Sequence, residues 1–374
     1  MFPVNPGEKF RRITFKTTVA FLAVLFIVTI GPQLLELEGS QALAKKKKKG
    51  GRYCTATAKA AHTACIREKQ DDYNIAVGNC INVSDDEERS DCYQEAKSEY
   101  KEAKEECKDQ YEARRDVCED LGEERYDPEI IPSEFVNPAD IGSQSVPANL
   151  YFPLVSGNKW LYKVTVDGEI TETNSVRVLD ETVMIEGVEC VVVHDIVYEG
   201  NIDPDSPGDA LMVEDTYDWY AQDKDGNVWY FGERSLAREG CPEEESDCDS
   251  YLLSEEGSWK TGVDDAKQGI IMFADPSAEI GTLYRQEFAL GDAEDLGQVI
   301  STEAQAPAYV RPLTFPCTES GAGVCLQTKD FTPIEPDAFA YKYYKADIGV
   351  VLEDEINDEG ERELVELVDF TPGP

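Results

Sequence analysis

The chain has 374 residues, with 35 Lys+Arg against 76 Asp+Glu, 11 Cys and 2 His, giving a formal charge of −41. So acidic a surface repels phosphate backbones, which argues against a nucleic-acid partner, and two histidines cannot furnish a multi-His metal centre. A hydrophobic fraction of 41% with 18 Tyr, 14 Phe and 4 Trp is nevertheless enough for a buried core, so the chain is read as globular and not as a disordered acidic tail.

Lys9, Arg11, Arg12 and Lys16 form a basic start, followed by an apolar run whose strongest part is Val19 to Ile30. With Ala42-Leu43-Ala44 behind it, this predicts a signal peptide over 1–44, cleaved before Lys45, and hence export. The competing reading is an uncleaved signal anchor, the one route by which a membrane would enter. Lys45 to Lys49 open a basic leader over 45–52, read as a solvated charge run in preference to a contact with anionic lipid.

Six cysteines follow at 54, 65, 80, 92, 107 and 118, and their intervals read the same from either end. In an antiparallel helical hairpin facing residues have a constant sum of positions, and the nested couples Cys54–Cys118, Cys65–Cys107 and Cys80–Cys92 satisfy that condition. The intervals are close to whole numbers of helical turns, so each arm carries its cysteines near one stripe. Small residues such as Ala58, Ala61 and Ala64 permit close approach, and Asn82 to Asp86 supply turn and N-cap residues. The spacing predicts a disulfide-stapled hairpin over 53–125. A reduced coiled coil is the bland alternative, and it fits an exported chain poorly.

Pro128, Pro132, Pro138 and Pro147 mark 126–147 as an extended linker. From 148 to 374 the pattern alternates instead. Lys159 to Val166 and Glu169 to Thr173 flank Asp167-Gly168, a strong hairpin dipeptide. Ser175 to Leu179, Thr182 to Ile185, Glu189 to His194, Thr216 to Gln222 and Val228 to Phe231 continue the series. Later candidates are 283–288, 308–313, 324–329, 339–344, 349–353 and 362–367. The fold class expected is α+β: a stapled helical hairpin followed by an acidic, mainly antiparallel β domain, as a curved sheet, open barrel or sandwich.

Three segments carry a resemblance: Tyr151-Phe-Pro-Leu-Val-Ser-Gly-Asn-Lys-Trp-Leu-Tyr162, Asp215 to Glu233 with its Asp-Trp-Tyr-Ala-Gln and Gly-Asn-Val-Trp-Tyr-Phe runs, and Lys342-Tyr-Tyr-Lys-Ala-Asp-Ile-Gly-Val-Val-Leu-Glu353. They resemble segments of uncharacterised exported β-rich bacterial proteins, over roughly residues 148 to 370. Asp347 stands where the resemblance implies a glycine. The family implies a secreted β domain and brings no catalytic residues.

Of the site candidates, Trp219, Tyr220, Trp229 and Tyr230 could line a cavity for an apolar or carbohydrate ligand, although alternation sends neighbours to opposite faces and core packing explains most such residues. Asp223, Asp225 and Asn227 begin like a calcium loop, but the full pattern would need Gly at Val228 and Glu at Arg234, so an ordinary turn is favoured. Calcium is the one cofactor this leaves open. His194, with Asp195 adjacent and Cys190 four residues away, lacks an activated nucleophile, and no catalytic residue is assigned. Cys241–Cys248 and Cys317–Cys325 suit short disulfide loops, leaving Cys190 as a core thiol. The functional expectation is a non-enzymatic binding or cell-surface interaction protein with the hairpin as spacer or docking arm. A calcium-dependent adhesive protein is the alternative, with a secreted hydrolase behind it.

Overall fold

The computed structural model describes residues 51–239, 252–310, 312–318, 323–356 and 361–374. The N-terminal segment over 1–44, the lysine run and the Cys241–Cys248 pair lie outside the described residues.

Two helices, α1 (Tyr53–Ile81) and α2 (Asp86–Leu121), form an antiparallel hairpin. Asp85 caps α2 by accepting the Glu87 and Glu88 N–H groups at 2.9 and 3.0 Å, and Asp86, Glu87 and Glu88 place negative charge at its positive end. Gly122, at φ 91°, ends α2. Disulfides join Cys54–Cys118, Cys65–Cys107 and Cys80–Cys92. Between them lie two aromatic rungs that the sequence reading did not include: His62 against Tyr111 at 5.0 Å and Tyr73 stacked on Tyr100 at 4.9 Å. Covalent and aromatic rungs alternate down the ladder, replacing an aliphatic core that Ala58, Ala61 and Ala96 are too small to supply.

The remainder is a β barrel of fifteen strands among the described residues. They are β1 (Lys159–Val166), β2 (Glu169–Ile185), β3 (Val188–Glu199), β4 (Met212–Gln222), β5 (Val228–Glu239), β6 (Leu252–Ser254), β7 (Trp259–Lys260), β8 (Lys267–Met272), β9 (Leu283–Arg285), β10 (Glu287–Phe288), β11 (Leu296–Ala304), β12 (Cys325–Phe331), β13 (Phe339–Lys345), β14 (Gly349–Ile356) and β15 (Arg362–Thr371). The hydrogen-bonded path runs β10-β8-β5-β4-β3-β2-β1-β15-β14-β13-β12-β11-β9, with β6 and β7 also on β5. All the pairings are antiparallel. Because β9 and β10 are halves of one bent segment, the two ends of the path meet there and the barrel is nearly closed. Gly269 makes the corner feasible, since a Cβ there would collide with the Arg285 and Gln286 backbone.

Asp167-Gly168 and Glu186-Gly187 turn with φ of 50° and 85°, and 48° and 84°, the paired left-handed conformations of a tight hairpin. Asp347 adopts φ 64°, a conformation Asp tolerates, and its N–H donates to the Leu150 carbonyl at 2.8 Å. The resembling segments also touch one another: Trp160 Nε1 donates to the Ile348 carbonyl at 2.6 Å and Tyr162 Oη to that of Val350 at 3.2 Å.

Several strands differ from the sequence expectation. β2 is one strand of 17 residues, with its irregularity between Val178 and Thr182 absorbed as a register shift. β8 and β11 were not expected, as their alternation is weak. The segment expected at 308–313 is not a strand at its described residues, because Pro307 and Pro312 bracket it and neither can donate to a ladder.

Candidate functional site

The four aromatic candidates divide between the two faces of the barrel wall. Tyr220 and Tyr230 point inward and stack at 4.7 Å, with Phe152 edge-on to Tyr220 at 5.0 Å. Trp219 and Trp229 point outward into a second cluster built on Phe231, Ile185 and Cys190 and covered by Phe135 of the linker. The set therefore forms no single platform.

In the Asp223 turn the carboxylate accepts the Asn227 N–H, the Asn227 side-chain amide and Trp229 Nε1, each at 2.9 Å, while Asp225 is exposed. Asn227 Oδ1 accepts the Ala274 N–H at 2.9 Å. These oxygens hold a hairpin together, and no group of three or more metal-binding side chains occurs among the described residues. Asp223→Ala is expected to cost about 1.5–3 kcal/mol in a urea titration, the usual range for hydrogen bonds to a charged acceptor.

His194 lies on the outer face, with Nε2 paired to Asp215 Oδ1 at 2.6 Å and the ring stacked on Tyr217 at 4.5 Å. Cys190 is a buried free thiol whose pKa burial pushes up to about 12, so it is unreactive at neutral pH. Cys317 and Cys325 are joined.

A cleft of about 780 Å³ lies where the foot of the hairpin meets the barrel's closing corner. Val117 and Leu121 of α2 wall one side, and Trp229, Ile270 and Phe288 the other. An ion pair closes its rear. Arg114 (6% exposed) and Glu294 (2% exposed) bond through Nε at 3.1 and 3.0 Å and through Nη2 at 2.7 Å. The Gly291 N–H donates to the same carboxylate at 2.9 Å. Tyr126, just past α2, reaches over with its hydroxyl on the Gln268 carbonyl at 2.8 Å, and burial raises its pKa to about 12. Lys267 pairs with Asp127 at 2.8 Å, which holds that carboxyl below its usual range.

Arg285 also lines this cleft, its guanidinium 4.5 Å from the Phe288 ring centroid and 5.3 Å from that of Tyr126. Burial lowers its pKa, and its Nη1, shielded from solvent, has no hydrogen-bond acceptor. A solvent-shielded guanidinium nitrogen without an acceptor is costly, and an anion brought to it would recover that cost.

Inside the barrel a polar zone fills the end away from the Asp223 turn. Register places Glu172, Asp195, Glu214, Asp218 and Glu233 on the inner face of β2 to β5, with Glu353 opposite Lys342 on the far wall. Lys342 is held by Asp330 at 3.3 Å and Glu353 at 3.4 Å. Burial, assisted by neighbouring carboxylates, raises the pKa of Asp195 and Glu287 far above normal, that of Asp218 to about 6 and that of Glu233 to about 8. The sequence reading missed both sites. The available signal was acids at inward positions of β4 and β5, hidden among the many acids of the β domain.

No protein-family model matches the chain, and no curated protein matches its sequence. Two solved structures are similar to part of it. A presumed exported protein with a YmcC-like fold from Bacteroides fragilis shares 14% identity at a TM-score of 0.29, over 60% of this chain and 100% of that one. A presumed lipoprotein from Parabacteroides distasonis shares 10% identity at a TM-score of 0.29 over the same proportions. Likeness at that level assigns neither family nor activity to this chain.

Proposed function

We propose that this is an exported, non-enzymatic binding protein whose cleft between hairpin and barrel takes an amphiphile with an anionic head, of the long-chain fatty-acid class. The observation that carries the reading is Arg285, which lines a cleft walled by Val117, Leu121, Ile270, Trp229 and Phe288 and whose guanidinium has an Nη1 without an acceptor. The walls suit an alkyl chain, and a guanidinium pairs with a carboxylate through geometry a water cannot reproduce. The hairpin then serves as one wall of the site. Export is supported by the disulfides, by the hydrophobic N-terminal run and by the resemblance of residues 148 to 370 to exported β-rich proteins.

The test is a titration followed by tryptophan fluorescence and by melting temperature, since Trp229 lines the cleft. A long-chain fatty acid should bind and raise the melting temperature, and Arg285→Met, which keeps the apolar stem, should weaken binding about tenfold or more, the value of a charge-assisted hydrogen bond. An alkyl ammonium of equal length should bind no better than to that variant. Binding only of calcium or an oligosaccharide, or equal fatty-acid binding by Arg285→Met, would overturn the reading.

A further inference from the structure

The hydrogen bonds of Tyr230 impose a proton count. Its hydroxyl oxygen lies 2.6 Å from Asp218 Oδ1 and 2.7 Å from Glu233 Oε2, and these two carboxyls face each other across β4 and β5. A phenol has one hydrogen and can donate to only one of them. The second contact, at full hydrogen-bond length, needs a proton on a carboxyl, donated back to the phenol oxygen. Asp218 and Glu233 therefore share at least one carboxylic proton in this conformation.

The surroundings favour keeping it. Glu214 and Tyr220 face the pair from β4, Asp195 from β3, and Glu287 with Asp295 from the closing corner. Trp259 of β7 stands edge-on to Tyr230 at 5.3 Å. Lys342, the cation facing this interior from β13, is engaged by Asp330 and Glu353. No positive group is hydrogen-bonded to the pair among the described residues, so ionising both carboxyls sets two buried like charges against one phenol.

We propose that Asp218, Tyr230 and Glu233 form a proton-held latch between β4 and β5, closed while one carboxylic proton is shared and slackened when mildly alkaline solution removes it. The sign follows from linkage. Both carboxyls bind protons more tightly in the folded chain than in the unfolded one, so their contribution to stability is complete below the ordinary carboxylate range. It is lost as pH rises through the folded values of about 6 and about 8. Within that window each proton held only by the folded chain raises the unfolding constant about tenfold per pH unit.

Urea titrations of the full chain across that range test the latch. Glu233→Gln keeps a hydrogen-bonding side chain without the charge, and should reduce the slope of log unfolding constant against pH by about one. Amide exchange at Thr216 to Tyr220 and Tyr230 to Ser235, corrected for its chemical pH dependence, should quicken at alkaline pH in the wild type and not in the variant. Asp218→Asn replaces Glu233→Gln if the latter fails to fold. An infrared pH titration follows the proton directly: at neutral pH the wild type should show more protonated carboxylic acid than the variant, above the band that Asp195 and Glu287 also give, and this excess should fade through the same window. An unchanged slope in the folded variants, or the absence of that excess in the wild type, would overturn the latch.

Discussion

Glu294→Ala is expected to lower stability by about 3–5 kcal/mol, because it strands the Arg114 guanidinium where water does not reach. Three nitrogen–oxygen contacts and the Gly291 N–H converge on that carboxylate, and both partners are more than nine-tenths buried. Replacing both partners together, Arg114→Met with Glu294→Met, should recover much of the loss, as well-packed apolar pairs often match buried ion pairs. A double-mutant cycle by urea unfolding reads the difference. The same substitution frees the foot of the hairpin from the barrel corner, so limited proteolysis should then cut between Gly122 and Asp127.

Reduction of the hairpin disulfides should have the second largest effect. Taken singly, loops with separations of 12, 42 and 64 residues correspond to about 3 to 4.5 kcal/mol each by the chain-entropy estimate. The buried apolar residues of the two helices are mostly alanines and cysteines, too little surface to hold the pair without its cross-links. Helical circular dichroism should therefore fall when all three are reduced, while the near-ultraviolet signal of the barrel's tryptophans persists. Loss of both signals together, in a Cys317→Ser/Cys325→Ser background that lacks this barrel disulfide, would show that the barrel depends on the hairpin.

The helical ladder was legible in the sequence because disulfide partners obey a numerical rule that survives translation into space. The aromatic rungs were not, since His62 and Tyr111 look like incidental residues until the pairing is known. In the β domain the turns were legible where Gly follows Asp or Glu, as at Gly168 and Gly187, because only a left-handed turn uses that pair so economically. Strands with weak alternation such as β11 were not, since Gly297 there leaves room for the ring of Tyr284 and has no side chain to announce it. The cleft was hidden for a different reason. Arg114 and Glu294 are 180 residues apart, and nothing local in either segment points to the other.

The position of β1 between β2 and β15 bears on time. Trp160 pairs with Phe370, so the middle of the sheet is sewn from segments at distant points of the chain, whereas the hairpin joins neighbours across a turn of four residues, Asn82 to Asp85. Local contacts form early and distant ones late. The ladder can be finished, and its cysteines oxidised in register, while the barrel still waits for its final strand. The cleft exists only once the completed strut has seated on the closing corner.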